Sequence, residues 1–463
     1  MNGKYDVIII GAGPGGYPCA IRLGQLKKRV LVIEAKHLGG LCLNWGCIPT
    51  KALSFAAEMT DNFKKAQRMG FKIENKGLDI NVLRNWKDAV VKRLRSGIEF
   101  LFKFSNIEWK QGLAKVVSQN QVEVDSENKK EIFEAENIII ATGTEVIPLP
   151  GLDFDGNYVI DTDYALELRE IPKNLLVIGA GASGLEMATI YARLGSTVTV
   201  VEIMGQILPG MEHELCGHLY KILKKSGIEI YLSSQVTGYE KKDDRLEVTI
   251  KKPDGDAKEI YDKILVTVGR RPVNSAFKGL DIETDKKGYV VVDETLRTSI
   301  KNIFAIGDIV GPPLLAHKAT KQGTSVAEIL CGSKERLNTL TIPSCVFTIP
   351  PLSSVGLTEK EAIAKGCKVK IGRFPYRASG KAVSMGETEG LIKIVGDEKG
   401  TLLGLHILGA ESSSLIGEGI LAVAKGLSVA DLAEIIHPHP TLTETIGEAA
   451  ENFYKKAIHI QNK

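Results

Sequence analysis

Tyr5-Asp6-Val7-Ile8-Ile9-Ile10-Gly11-Ala12-Gly13-Pro14-Gly15-Gly16 begins as an apolar run and ends in a cluster of glycines. A helix-like stretch follows over residues 17–26, and a second apolar strand over 30–33 stops at Glu34. Each part of this strand, turn, helix, strand pattern has a physical reason. Gly11 permits the tight turn, Gly13 lets the backbone approach a pyrophosphate, and Gly16 lets helix and strand pack closely. Glu34 stands where a carboxylate accepts hydrogen bonds from a ribose.

The pattern returns. Residues 175–178 lead into Gly179-Ala180-Gly181-Ala182-Ser183-Gly184, a helix is expected through residue 194, and a strand over 198–201 stops at Glu202. The interval from first glycine to acid is 23 positions in both copies. One such turn is weak evidence, because glycine-rich turns often have steric reasons alone; two copies in the same context with matched acids make that reading improbable. Residues 137–141 close on Thr142-Gly143, residues 263–268 on Gly269-Arg270-Arg271-Pro272, and residues 302–306 on Gly307-Asp308, so each reads as a short buried strand ending at a contact point. After residue 338 the texture changes to alternating strands (390–395, 401–408) and amphipathic helices (412–425, 429–436). The expected fold is α/β, with two interleaved Rossmann-like dinucleotide-binding domains and a C-terminal α+β domain. Its segments are placed at 1–145, 146–268, 269–338 and 339–463, the first and third belonging together.

A chain of 463 residues is too long for one ordinary core. Its 59 basic and 56 acidic side chains leave a formal charge of +3, which creates no field to attract nucleic acid or an anionic membrane. Lys27-Lys28-Arg29 and Lys455-Lys456 read as solvated helix ends and a tail. No run of about 18 apolar residues exists to span a bilayer, and no charged and apolar leader precedes the first strand, so a cytoplasmic protein is expected. Seven cysteines (19, 42, 47, 216, 331, 345, 367) are thinly spread and odd in number, against an extracellular disulfide framework. Any disulfide here is expected to be catalytic rather than structural.

Two of those cysteines stand apart from the rest. Gly39-Gly40-Leu41-Cys42-Leu43-Asn44-Trp45-Gly46-Cys47-Ile48-Pro49-Thr50-Lys51 follows directly on the first nucleotide-binding pattern. In a continuous helix residues five apart have Cα atoms about 8.6 Å apart, beyond the ~7 Å limit for a disulfide. If Cys42 and Cys47 pair, the backbone between them must be irregular. Gly46 and Pro49 supply the means, Pro49 fitting the first turn of a helix that begins near Cys47. A thiol at such a helix start has its thiolate stabilised, which makes Cys47 the better candidate for that form. The remaining five cysteines read as inert.

Near the C-terminus, His437-Pro438-His439-Pro440-Thr441 holds two histidines in an extended, proline-interrupted segment. A thiol-exchange site needs a base that works near neutral pH, and histidine is suited to it. Glu444 either closes a capping box with Thr441 at the start of the last helix or orients an imidazole.

Together these motifs resemble the pyridine nucleotide-disulfide oxidoreductases of the two-cysteine class, and within it the dihydrolipoamide dehydrogenase group, over essentially the whole chain. The resemblance implies FAD on Gly11, Gly13 and Gly16, with its adenine ribose on Glu34, its ribityl chain near Asp308, and Thr142, Gly143 and Lys51 among its contacts. It implies NAD on Gly179, Gly181 and Gly184 with Glu186, Glu202 and Gly269, and no metal. Segments 1–145 and 269–338 would then bind FAD, 146–268 NAD, and 339–463 would form the interface of a homodimer. By the same resemblance Cys42 is the outer thiol that exchanges with substrate and Cys47 the inner thiol facing the flavin. Lys51 would pair with Glu186, a contact otherwise read as an ordinary salt bridge. His439, oriented by Glu444, would serve the cysteine pair of the other subunit, while His437 is left as structural.

The implied activity is oxidation of dihydrolipoyl groups by NAD, with lipoyl domains of 2-oxoacid dehydrogenase or glycine cleavage complexes as partners. Rivals are a glutathione or mercuric reductase and a mainly structural complex-bound subunit. Residues 451–463 lack the cysteine pair of the mercuric enzymes, and Glu202-Ile203-Met204-Gly205-Gln206 lacks the arginines of NADP-linked ones. Leu41, Pro18-Cys19 and Pro351 depart from the family pattern without touching a proposed redox atom.

Overall fold

The structure, a computed structural model, describes residues 4–74, 77–126, 129–334 and 341–462. The expected boundary between 338 and 339 lies outside the described residues. The chain packs as two compact units, one drawn from Met1–Ala52, Asp79–Ile147 and Gly269–Asn338, the other from Leu53–Leu78, Pro148–Val268 and Thr339–Lys463.

In the first unit Tyr5–Ile10 lies at the centre of a parallel core. Val30–Glu34 pairs on one side of it and the end of Lys129–Ile140 on the other, with Ile303–Ala305 beyond. The strand expected over 137–141 starts at Lys129, because its first half pairs antiparallel with Gln121–Ser126 while its second joins the parallel core. Successive side chains of a strand point to opposite faces. Val7 and Ile9 accordingly pack with Cys19 and Leu23 of the helix Gly16–Gln25 and with Val91 and Ile98 of the helix Ile80–Phe104, while Ile8 and Ile10 pack with Ile33, Phe133 and Ile138 on the other face. A strand covered on both sides has no polar face to show, which is why this stretch reads as an unbroken apolar run. Each fully buried isoleucine is worth about 1.5–3 kcal/mol relative to exposure.

The second unit repeats the plan around Asn174–Ile178. Thr197–Val201 and Lys263–Val266 flank it in parallel, with Glu229–Tyr231 and Val159–Ile160 outside them. The same unit carries a three-stranded antiparallel sheet (Gln235–Lys242, Arg245–Lys251, Ala257–Tyr261) and a five-stranded one in the order Ser344–Val346, Leu352–Gly356, Leu402–Leu408, Leu391–Asp397, Val369–Pro375. The helices Ser412–Lys425 and Glu444–Phe453 pack on that last sheet. Val429–Glu434 ends before residue 436, where the chain turns extended toward Pro438. Among the described residues no helix is long and apolar enough to cross a membrane.

Candidate active site

The two glycine turns match position by position. Gly11 and Gly179 have φ of +101° and +102°, a region that penalises any side chain. A Cβ on Gly16 would lie 1.9 Å from the Gly11 carbonyl oxygen, and one on Gly184 2.0 Å from that of Gly179. These four glycines are required by the chain's own backbone. The middle ones are different. The nearest atom to a Cβ on Gly13 is 3.9 Å away, and Gly181 has nothing within 4 Å.

The helices that follow, Gly16–Gln25 and Ala182–Leu194, have no side-chain cap, whereas Asp79 and Asp161 cap the helices Ile80–Phe104 and Thr162–Glu167. Uncapped N–H groups at a helix start above an unfilled glycine form a cradle for a diphosphate. The acids close each cradle in the same way. Glu34 accepts the backbone N–H of Ala12 at 2.7 Å and of Lys36 at 2.9 Å, and Glu202 accepts those of Ala180 at 2.7 Å and Met204 at 2.8 Å. Each oxygen thus takes one backbone donor and keeps a lone pair for a ribose hydroxyl. The residues therefore fit two dinucleotides.

Further contact points gather in the first unit. Thr142 Oγ1 donates to the Val273 carbonyl at 2.8 Å, and Gly269 accepts the Ile147 N–H at 3.2 Å. Thr144 Oγ1 donates to Asp308 at 3.3 Å. Burial lifts the Asp308 carboxyl above its ordinary range, against the pull of Lys318 and Arg270. Gly143 has φ +69° and no neighbour to obstruct a side chain, so its backbone needs glycine while its surroundings stay open.

Cys42 and Cys47 are joined in a disulfide with Cα atoms 4.7 Å apart. The helix Gly40–Trp45 stops at Gly46, whose φ of −142° and ψ of −110° are not helical, and a 22-residue helix starts at Cys47. Pro49 stands in the first turn of that helix, where its missing N–H costs nothing. Lys51 lies one turn beyond Cys47 in the first compact unit, and Glu186 belongs to the second, where its Oε1 accepts the Phe347 N–H at 2.9 Å. The redox segment is tied to the first glycine turn through the Gly39 N–H, which donates to the Ala12 carbonyl at 2.9 Å. Asn44, between the two cysteines, is buried and donates to the carbonyls of Leu38 and Gly40. Cys19 and Cys216 are unpaired, and burial pushes both thiols up.

Two histidine–glutamate pairs stand two residues apart in the second unit. His437 is 9% exposed and contacts Glu418 at 3.0 Å, whereas His439 is 79% exposed and its Nδ1 contacts Glu444 at 2.8 Å. The hydrogen bond to the Glu418 carboxylate raises the His437 pKa above its ordinary value, against burial. Gly447 leaves room for the His437 ring, 2.9 Å from where a Cβ would stand. The capping box considered for Thr441 and Glu444 forms only in part. The helix begins at Glu444, and Thr441 donates its backbone N–H to Glu444 Oε2 at 2.8 Å. One carboxylate thus anchors the turn with one oxygen and faces the imidazole with the other. Burial pushes the Glu444 carboxyl up, but the Thr441 N–H and His439 outweigh it and hold it below its usual range. Elsewhere in this unit Glu212, Glu214 and Glu359 converge, but on the Lys393 ammonium at 2.6–2.9 Å, so the cluster already holds its cation.

Sequence reasoning missed Asn44 and Glu418. Asn44 sits inside the redox motif itself, and an amide in an otherwise apolar and glycine-rich segment is the signal that could have marked it. Glu418 lies 19 residues from His437 in sequence, and only the folded sheet and helices bring the two together.

Residues 5–323 match the family described as pyridine nucleotide-disulphide oxidoreductase, and residues 342–450 match its dimerisation domain. The chain is 46% identical to a dihydrolipoyl dehydrogenase of Thermus scotoductus over 99% of both chains. It is 41% identical to a dihydrolipoyl dehydrogenase of Geobacillus stearothermophilus over 99% of this chain and 98% of that one. Among solved structures it resembles the HOCl-induced flavoprotein disulfide reductase RclA of Escherichia coli, in a Cu(II) complex, with a TM-score of 0.87 and 28% identity over 97% of this chain and 99% of that one. The paired glycine cradles, the cysteine pair seated on the first of them and these full-length matches place the chain in the pyridine nucleotide-disulphide oxidoreductase family.

Proposed function

We propose that the protein is an NAD-linked dihydrolipoyl dehydrogenase, with FAD on the first glycine cradle and NAD on the second. The observation that carries this reading is the Cys42–Cys47 disulfide, built on the wall of the first cradle and beginning the helix that follows it. Bound FAD supplies a two-electron acceptor between the dithiol and the nicotinamide.

The chain's own groups perform the thiol half-reaction. His439 takes the proton from one thiol of a dihydrolipoyl group, and the resulting thiolate attacks Cys42 Sγ. The S–S bond breaks and Cys47 leaves as a thiolate, which the N-terminus of its helix stabilises. The second substrate thiol then attacks the mixed disulfide, releasing the cyclic disulfide and a Cys42 thiol. Two electrons now reside on the pair, and His439 holds a proton that Glu444 stabilises. Lys51, Thr142, Gly143 and Asp308 are assigned to the flavin, and Glu186, Glu202 and Gly269 to NAD.

In this reading the dimerisation domain supports a homodimer in which the base of one subunit serves the cysteine pair of the other. The names of the relatives support a dihydrolipoyl group as substrate, and lipoyl domains of 2-oxoacid dehydrogenase or glycine cleavage complexes are the partners that would present it. Five cysteines outside any disulfide support a reducing, cytoplasmic setting.

The test compares two assays on folded, flavin-loaded His439→Gln. Loss of the base should lower dihydrolipoamide oxidation by about 10²- to 10⁴-fold. NADH oxidation by an artificial acceptor bypasses the thiols and should fall far less. A parallel fall in both assays removes the base assignment, and an unaltered protein inactive with dihydrolipoamide removes the proposed substrate.

A further inference from the structure

The helix Ile80–Phe104 buries Val91, Ile98 and Phe102 along one face. Arg95 falls on that same face by helical spacing, a cation where the pattern calls for an apolar residue. Its side chain is half-buried, and a charge in such a place needs a partner. The partner is Asn44. Arg95 Nε and Nη2 both donate to Asn44 Oδ1, at 3.1 and 2.6 Å. Asn44 spends its own amide hydrogens on the Leu38 and Gly40 carbonyls, at 3.0 and 2.9 Å.

Asn44 lies between the two cysteines, on the helix Gly40–Trp45, which is far too short to be stable by itself. Something else must therefore fix the backbone that carries Cys42. Gly39 and Gly40 anchor its start on the first glycine turn. The disulfide fixes its end while the pair is oxidised. Trp45 packs against Lys36 and His37, which precede the same segment. Leu43 joins the apolar cluster, but that packing is not directional. Arg95 supplies a directional, charge-assisted contact from a separate long helix.

We infer that Arg95 is a positioning residue that, through Asn44, keeps the Cys42 thiol within closing distance of Cys47 once the disulfide has opened. This rests on the redox role proposed above for the pair. Loosening the dithiol form lowers the effective concentration of one thiol at the other and so disfavours the disulfide.

The experiment equilibrates the holoenzyme with dithiothreitol buffers and counts free Cys42 and Cys47 by acid quench, alkylation and mass spectrometry. Dithiothreitol gives up two electrons and two protons, becoming its cyclic disulfide, and the Cys42–Cys47 bond opens to two thiols. Arg95→Met keeps the aliphatic stem and removes both donors. It should shift the equilibrium toward the dithiol by about tenfold, the order of one charge-assisted hydrogen bond and close to 30 mV for a two-electron couple. Arg95→Lys, which keeps the charge and offers an N–H, should recover part of that shift. An equilibrium unchanged in both variants overturns the inference and leaves the redox reading intact. A shift toward the disulfide also overturns it, since that outcome assigns Arg95 to thiolate stabilisation. If the pair of the unaltered protein does not exchange with the buffer, the redox role itself fails.

Discussion

The two glycine turns share their backbone design but differ in what stands around them. Ala12 and Gly16 are buried, as are their counterparts Ala180 and Gly184, but between them Pro14 is half-buried and Gly15 buried at the first turn, where Ala182 and Ser183 are exposed at the second. In both, a returning loop donates to the alanine carbonyl of the turn, Gly39 to Ala12 at 2.9 Å and Leu208 to Ala180 at 2.8 Å. Among the described residues only the first turn carries more. A Cβ on Gly40 would lie 2.5 Å from Gly13 Cα, and the helix Ala316–Leu330 approaches so closely that a Cβ on Gly323 would lie 2.2 Å from the Gly15 carbonyl oxygen. An enclosed cradle suits a group that stays bound through turnover, and an open one suits a substrate that must leave. In the proposed reading the same glycine code serves a prosthetic group in one place and an exchanging cofactor in the other, and the surroundings make the distinction.

The largest effects should come from the glycines that the backbone itself requires. A methyl on Gly16 or Gly184 meets a carbonyl oxygen at about half the normal contact distance, well beyond the ordinary overpacking that costs about 1–3 kcal/mol. Gly16→Ala should therefore yield protein without flavin, or no folded protein. Gly184→Ala should lower the urea midpoint and abolish NADH oxidation while flavin absorbance survives, because its clash lies in the other unit. Flavin lost to the same degree from both variants would show that the two cradles do not fold independently.

Much of this is legible in the amino-acid sequence. The glycine turns, the acids and the cysteine pair are local devices whose spacing follows from backbone geometry, so residues 5–16, 175–184 and 39–51 could be read directly. The break at Gly46 follows from the reach of a disulfide. What could not be read is long-range pairing. Lys129–Ile140 changes partners halfway along, and neither half announces this in its composition. Arg95 and Asn44 are 51 residues apart, and nothing local to either names the other. The sequence offers Glu444 two alternative roles, at the turn and at the imidazole, but a carboxylate has two oxygens, and here each role takes one of them.

A smaller effect separates fold from binding at the middle glycines. Gly13→Ala and Gly181→Ala introduce no clash within the chain, and Gly181 has φ −75° and ψ −176°, which alanine adopts freely. Stability should stay within about 0.5 kcal/mol of the unaltered protein, as for surface changes. Binding should not. Gly181→Ala should raise KM for NAD by about tenfold or more, equivalent to some 1.4 kcal/mol, because the methyl occupies the space of the diphosphate. Gly13→Ala should fold but release FAD on dialysis. An unchanged KM for NAD in Gly181→Ala would move the nicotinamide cofactor away from this turn.

The smallest effect on NAD use, and the most instructive, belongs to Glu202. A carboxylate at the ribose repels the 2′-phosphate of NADP, so NAD should be preferred and Glu202→Gln should narrow the preference. The geometry adds a second consequence. Both oxygens of Glu202 accept backbone N–H groups, from Ala180 and Met204, and a glutamine offers one oxygen and one NH₂ in their place. One backbone donor must then face another donor, at a cost of about 1–3 kcal/mol for a buried group left unsatisfied. Glu202→Gln should therefore lower the thermal midpoint and reduce kcat/KM for NAD several-fold while NADP gains little, narrowing the ratio mainly from the NAD side. Glu34→Gln should do the same to flavin retention, since the Ala12 and Lys36 donors are arranged alike. A ratio that narrows through a gain in NADP with an unmoved midpoint would reduce Glu202 to a charge beside the ribose. A lowered midpoint with an unchanged ratio would make it a brace for the turn and place the choice of cofactor elsewhere.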